Sequence, residues 1–164
     1  MVERAIAILT KLTRSLLKQS ELPSKFWTWA WQYANYISNR SLCRGTAIRK
    51  TPRELAGFGK PDVSNIRVFG SLVYCHIEKG SRTKLSDQAW PGIFLGIPQG
   101  TKGYCVYNSE SNSILVRRNV VFDESRTGKH LLSLPSDSTP TSTPVEVLVE
   151  GRRAHGGRTR RGCH

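Results

Sequence analysis

The feature that most limits what this chain can fold into is a change of hydrophobic period near residue 66. Upstream, apolar residues recur at three- and four-residue steps, with Val2, Ile6, Leu9, Leu12 (or Thr13) and Leu16 setting the pattern. That spacing puts them on one face of a helix. Downstream, apolar residues alternate with polar ones or run in short blocks between turn residues, as strands do. The expected fold class is therefore α+β, with helices first and a strand-rich unit after them.

The second helix is announced by Pro23 and Ser24, one fixing φ and the other able to cap. Residues 25–40 then carry Phe26, Trp27, Trp29, Trp31, Tyr33 and Tyr36. Trp27, Trp31 and Ala34 fall on one face; Phe26, Trp29 (or Ala30) and Tyr33 fall on another. A helix with aromatics nearly all round must be buried on several sides. The same aromatics, if exposed among cations, could stack on nucleic-acid bases. A basic loop follows, with Arg40, Arg44, Arg49 and Lys50 in it or at its edge. Thr51-Pro52-Arg53-Glu54 reads as a capping box with proline at the first helical position. The short helix it starts should stop at Gly57 or Gly59.

Arg67–Ile77 reads as one long strand, or two bent at Gly70. Gly92–Gly96 is a short buried strand, and Tyr104–Asn108 pairs with Ser113–Arg117 across Ser109–Asn112, which is turn chemistry. Asn119–Asp123 is the last strand. Five short strands point to a small antiparallel barrel over residues 64–125. It is expected to hold its fold by itself, while residues 1–60 are only partly ordered and prone to self-association through exposed tryptophans. Residues 126–164 form a tail: SLPSDSTPTSTP at 133–144 has the composition of a disordered segment, and GRRAHGGRTRRG at 151–162 is Gly/Arg-rich.

Charge points to a partner. The 164 residues hold 25 Lys and Arg against 12 Asp and Glu, a balance of +13. The excess is uneven: +5 in residues 23–62 and +4 in residues 126–164, but only +2 in residues 63–125. A polyanion, nucleic acid above all, is the expected ligand, bound mainly by the flanks. The candidate contacts are Arg40, Arg44, Arg49, Lys50 and Arg53 in the middle, and Arg152, Arg153, Arg158, Arg160 and Arg161 in the tail. Nothing reads as a base-reading helix, so binding should be non-specific. No apolar run approaches the roughly 20 residues of a spanning helix, so no membrane role is expected. Cys43, Cys75, Cys105 and Cys163 are scattered, which fits neither a disulfide framework nor a zinc site and suits a nuclear or cytoplasmic protein.

Two stretches carry a family resemblance. Val2-Glu3-Arg4, Arg14-Ser15-Leu16-Leu17 and Leu22-Pro23-Ser24-Lys25-Phe26-Trp27, continued by Asn39-Arg40-Ser41 and Thr51-Pro52-Arg53-Glu54, resemble the end of the integrase core in copia-type LTR-retrotransposon Pol polyproteins. Ile66-Arg67-Val68-Phe69-Gly70, Lys84-Leu85, Gly92-Ile93-Phe94-Leu95-Gly96, Lys102–Tyr107 and Val120–Glu124 resemble the SH3-like domain that follows that core. The resemblance spans residues 2–124, in the family's order and spacing; residues 126–164 match nothing in it.

The resemblance implies that residues 1–60 are the C-terminal helices of an RNase H-like integrase core and residues 64–125 an SH3-like β-barrel. The family's enzyme joins DNA ends with two Mg²⁺ ions held by two Asp and one Glu. Glu3 stands in the place of that Glu, as a vestigial ligand. The two Asp and the His/Cys zinc module lie upstream in the family. A lone carboxylate cannot hold two hard cations, so the chain is expected to need no cofactor and to catalyse nothing alone. The functional expectation is a truncated integrase-region fragment that binds nucleic acid. The alternatives are a protein-binding adaptor derived from a transposon, and a chain lending Glu3 to other polyprotein segments in trans.

Overall fold

The structure, a computed structural model, describes residues 2–42, 50–78 and 86–132. Helix α1 spans Val2–Ser20 and helix α2 spans Trp27–Ser38, entered through a 3-10 turn at Ser24–Phe26; the short α3 spans Pro52–Leu55. Five strands follow: β1 (Ser71–His76), β2 (Ala89–Gly96), β3 (Tyr104–Asn108), β4 (Ser113–Arg117) and β5 (Val120–Thr127). A 3-10 segment, Gly128–Leu132, ends the described chain. The α+β class and the antiparallel sheet are those read from the change of period.

All four strand pairings are antiparallel, in the order β4-β3-β2-β1-β5. That order fixes the shape of the sheet. β4 and β5 stand at its opposite edges, yet only Arg118 and Asn119 join them. In a flat sheet four inter-strand steps of about 4.8 Å would hold them about 19 Å apart. Two linking residues reach about 11 Å at most. The sheet must therefore curl until its edges approach, as an open barrel.

The core runs from this sheet into the helices. Leu22, Phe26, Ala30 and Tyr33 are buried in one continuous cluster with Phe69, Val73, Ile93, Phe94, Leu95 and Val106. Tyr33 sits at the junction. Its ring meets Phe94 edge-on at 5.4 Å and lies over Phe69 at 6.0 Å. Its hydroxyl donates to the Arg67 carbonyl and accepts from the Arg67 N–H at 3.0 Å. Burial pushes the phenol up to about 12, so it stays a neutral donor. Nearby, Gly70 adopts φ +75° beneath the end of α1, where a Cβ would lie 2.3 Å from that of Ser20. Only glycine permits both the backbone sign and the approach.

Three strand boundaries differ from the sequence reading, the simplest being β2, which starts at Ala89 rather than Gly92. The strand expected from Arg67 begins at Ser71, because Tyr33 engages both backbone groups of Arg67, Glu124 takes the Val68 N–H, and Gly70 reverses the chain. The last strand, expected to end at Asp123, runs to Thr127, and the segment after it carries Leu131 and Leu132 onto the core. The folded part thus continues past residue 125 to Leu132. The tail's remaining residues, and the Lys84-Leu85 motif, lie outside the described residues.

One core spans the helices and the sheet, a packing that the expectation of a separate barrel did not include. Of the aromatic faces of α2, the one bearing Phe26, Ala30 and Tyr33 is buried against the sheet, whereas Trp27 is 58% exposed. Cys75 and Cys105 are buried free thiols, with burial pushing them up to about 12 and about 11. Both side chains pack in the core.

Tyr33→Phe keeps the ring but leaves both backbone groups of Arg67 without this partner. It should cost about 1–3 kcal/mol and lower the midpoint of thermal unfolding followed by circular dichroism. A chain starting at Pro61 should lose cooperative unfolding of the sheet, because Phe69 and Phe94 lose the helical half of their packing.

Candidate nucleic-acid interface

Two of the middle cations of the sequence, Arg40 and Arg53, come together where α2 ends and α3 begins. The turn after α2 carries Arg40, whose Nη1 donates to the Tyr36 carbonyl at 3.0 Å and whose guanidinium lies 3.4 Å from the Tyr36 ring centroid. The Arg53 N–H reaches back to the Asn39 carbonyl at 3.2 Å, pinning α3 against that turn. The Arg53 guanidinium lies 5.2 Å from the centroid of the Phe58 ring. Guanidinium over aromatic is attractive and leaves the planar fork preorganised. Between these pairs lies a groove of about 650 Å³, floored by Ile97 and Pro98 and edged by the amides of Gln32, Asn35, Asn39 and Gln99.

A local device sets α3 in place. The Thr51 hydroxyl accepts from the Glu54 N–H at 3.2 Å, and the Thr51 N–H donates to Glu54 Oε2 at 2.7 Å. This is the capping box legible in the sequence. These hydrogen bonds from Thr51 hold the Glu54 carboxyl below its ordinary 4.5, helped by the charges of Lys50 and Lys60. Glu54 is thereby occupied at the cap. Among the described residues neither Arg40 nor Arg53 is ion-paired with a carboxylate.

The barrel's cations differ. Arg67 lies 4.0 Å from Glu124, Arg126 lies 3.7 Å from Asp123, and Lys129 pairs with Glu21. Of these three, Arg67 lies in the segment of nearly balanced charge, and Arg126 and Lys129 lie in the basic segment that follows it. Lys50 is exposed beside Thr51. Of the remaining sequence candidates, Arg44, Arg49, Arg152, Arg153, Arg158, Arg160 and Arg161 lie outside the described residues. Sequence reasoning missed Tyr36 and Phe58 as partners of the arginines, although a guanidinium four residues after Tyr36, one turn on at the end of a helix, was a readable signal.

Glu3 lies exposed in the first turn of α1. Among the described residues no group of three His, Cys, Asp or Glu is placed to hold a metal ion. The residues described do not fit a Mg²⁺ site. A second groove, of about 670 Å³ and mostly apolar, lies between α1 and the start of α2, with Leu17, Trp27 and Trp31 in its walls and Arg14 and Lys18 beside them. Among the described residues no helix is long and apolar enough to cross a membrane.

The curled five-stranded sheet is of the SH3-like class. Residues 71–136 match the retroviral polymerase SH3-like domain. The chain is similar to the retrovirus-related Pol polyprotein from transposon TNT 1-94 of Nicotiana tabacum, 33% identical over 125 residues, which is 76% of this chain and 9% of that protein. It is also similar to the retrovirus-related Pol polyproteins from transposons RE1 and RE2 of Arabidopsis thaliana: 26% identical over 67% of this chain and 7% of the first, 25% over 74% of this chain and 8% of the second. The resemblance to copia-type Pol polyproteins therefore holds, and the chain spans less than a tenth of the length of these relatives. No solved structure matches.

Thr51→Ala removes the cap and should destabilise α3 by about 1 kcal/mol, seen as faster hydrogen exchange at Glu54 through Phe58. Because the Glu54 carboxyl is held below its ordinary value, the stabilisation is complete above pH 4.5 and fades as pH falls through the lowered value. A pH series of the Glu54 amide shift should follow that sense and should flatten in Thr51→Ala.

Proposed function

We propose that this chain is an integrase-region fragment of a retrotransposon Pol polyprotein that binds nucleic acid without sequence preference and has no DNA-joining activity of its own. The observation that supports this best is the contrast in charge pairing. Arg40 and Arg53 flank a polar groove with no carboxylate partner among the described residues, while the barrel's Arg67, Arg126 and Lys129 face acids. Cations without acidic partners are the ones that neutralise phosphates. Lys50 is a further exposed cation beside Thr51, and the Gly/Arg-rich stretch adds Arg152, Arg153, Arg158, Arg160 and Arg161. The absence of a base-reading element in the sequence argues for backbone contacts rather than sequence readout.

A salt titration tests the reading. The full chain should bind duplex DNA at roughly 10⁻⁴–10⁻⁶ M in physiological salt, with affinity falling steeply as salt rises. The Arg40→Ala/Arg53→Ala double variant should lose about 0.9 from the log–log slope per phosphate contact removed. Deleting residues 151–164 should lower slope and affinity further and leave the circular dichroism unchanged. Identical slopes for all three chains would overturn the assignment to the flanks.

The catalytic half of the proposal has its own check. The purified chain should join no DNA ends with Mg²⁺ or Mn²⁺, and Glu3→Gln should change nothing. Metal-dependent joining by the purified chain, abolished by Glu3→Gln, would overturn this half of the proposal. A second reading, the protein-binding adaptor, is favoured by the apolar groove at Trp27 and Trp31. It predicts no nucleic-acid binding by the full chain, and self-association that weakens in Trp27→Ser.

A further inference from the structure

Phe58 is the residue the charge argument leaves unexplained. It is 70% exposed, although an aromatic side chain of its size gains more by burial than almost any other. The backbone holds it outward. Gly57 and Gly59 on either side both take positive φ, +84° and +71°, and nothing lies within 4 Å of where a Cβ would stand at either. The Phe58 N–H is tied to the Arg53 carbonyl at 3.2 Å, which fixes the turn relative to α3. The ring is thus presented largely exposed, with the Arg53 guanidinium over it, at the rim of the groove.

We infer, resting on the nucleic-acid reading above, that this groove takes a single-stranded stretch of nucleic acid, with phosphates drawn to Arg40 and Arg53 and an unstacked base laid on Phe58. Three observations combine. An exposed aromatic ring is a stacking platform that accepts any base, because every base has a π face. The neighbouring guanidiniums, unpaired with carboxylates among the described residues, supply the backbone attraction. The groove volume of about 650 Å³ suits one or two nucleotides, and amides of Asn35, Asn39 and Gln99 offer donors and acceptors to a base edge without a fixed code. A paired duplex keeps its bases stacked on one another, so it can reach the arginines and not the ring. The groove should therefore favour single strands, and the preference should reside in Phe58 while the salt dependence resides in the arginines.

The experiment is fluorescence anisotropy with labelled oligonucleotides of matched length: single-stranded DNA, single-stranded RNA, the blunt DNA duplex, and a single strand lacking bases. The full chain is compared with Phe58→Ala, Phe58→Trp and Arg53→Ala. The wild type should bind both base-bearing single strands more tightly than the duplex or the abasic strand. Phe58→Ala should weaken single-strand binding about 5- to 150-fold, the range expected for losing one base–aromatic stack, and leave duplex binding within about twofold. Its salt slope should not change, and Phe58→Trp should restore the preference. Arg53→Ala should lower the slope on single strands by about 0.7. Since Phe58 is exposed, unchanged circular dichroism is expected for both Phe58 variants. Equal binding of single strand and duplex, or equal loss on both in Phe58→Ala, would overturn the stacking site and leave the charge-based reading standing. Failure of the wild type to bind any probe would overturn both.

Discussion

One phenol ties the two parts of this molecule together. The Tyr33 hydroxyl satisfies both backbone groups of Arg67, and its ring closes the core over Phe69 and Phe94. Arg67 is the point at which the chain turns into the sheet, so the entry of β1 depends on a residue of α2. Everything downstream inherits that constraint. Gly70 can lie under Ser20 only if the helices are docked, and the Gly70 carbonyl in turn accepts from Gly128, which seats the final 3-10 segment. A small barrel buries too little surface to be comfortable by itself. Here the shortfall is met by a helix whose apolar face continues the barrel's own core.

The sequence displayed the parts of this arrangement that are local. The change of period separated helices from strands. The β3–β4 hairpin, its turn and the Thr51–Glu54 capping box were readable because each is written in a few consecutive residues. The resemblance to copia-type polyproteins was readable because its motifs recur in fixed order. What escaped was long-range. Nothing near Arg67 says that its backbone groups belong to Tyr33, so the strand looked longer at its start than it is. The pairing of β5 with β1 beyond Asp123 depends on a bulge between Ser71 and Leu72, which no local pattern records. The joint core escaped for the same reason: Ala30 and Tyr33 have a helical period whether they face a barrel or a missing partner.

The candidate site divides along the same line. Its cations were visible as composition, and two of them, Arg40 and Arg53, line one groove. The aromatic rings that hold the two arginines flat were not foreseen, because Phe58 sits in a glycine-flanked turn that reads as a helix stop. Charge counted by segment was informative, but pairing made it specific. Arg67, Arg126 and Lys129 contribute as much formal charge as Arg40, Lys50 and Arg53, yet face Glu124, Asp123 and Glu21. Net charge locates a basic region; the distribution of acids within it decides which cations are left for a ligand.

A core shared across distant stretches of sequence also governs how such a segment can be rearranged at the level of its gene. A recombination breakpoint between Ser38 and Ser71 would part Tyr33 from Phe94, leaving neither product with a closed core. A junction beyond Leu132 would cut none of the packing described here. The helices and the barrel are therefore inherited together or lost together, and the unit that a genome can shuffle here is larger than the SH3-like domain alone.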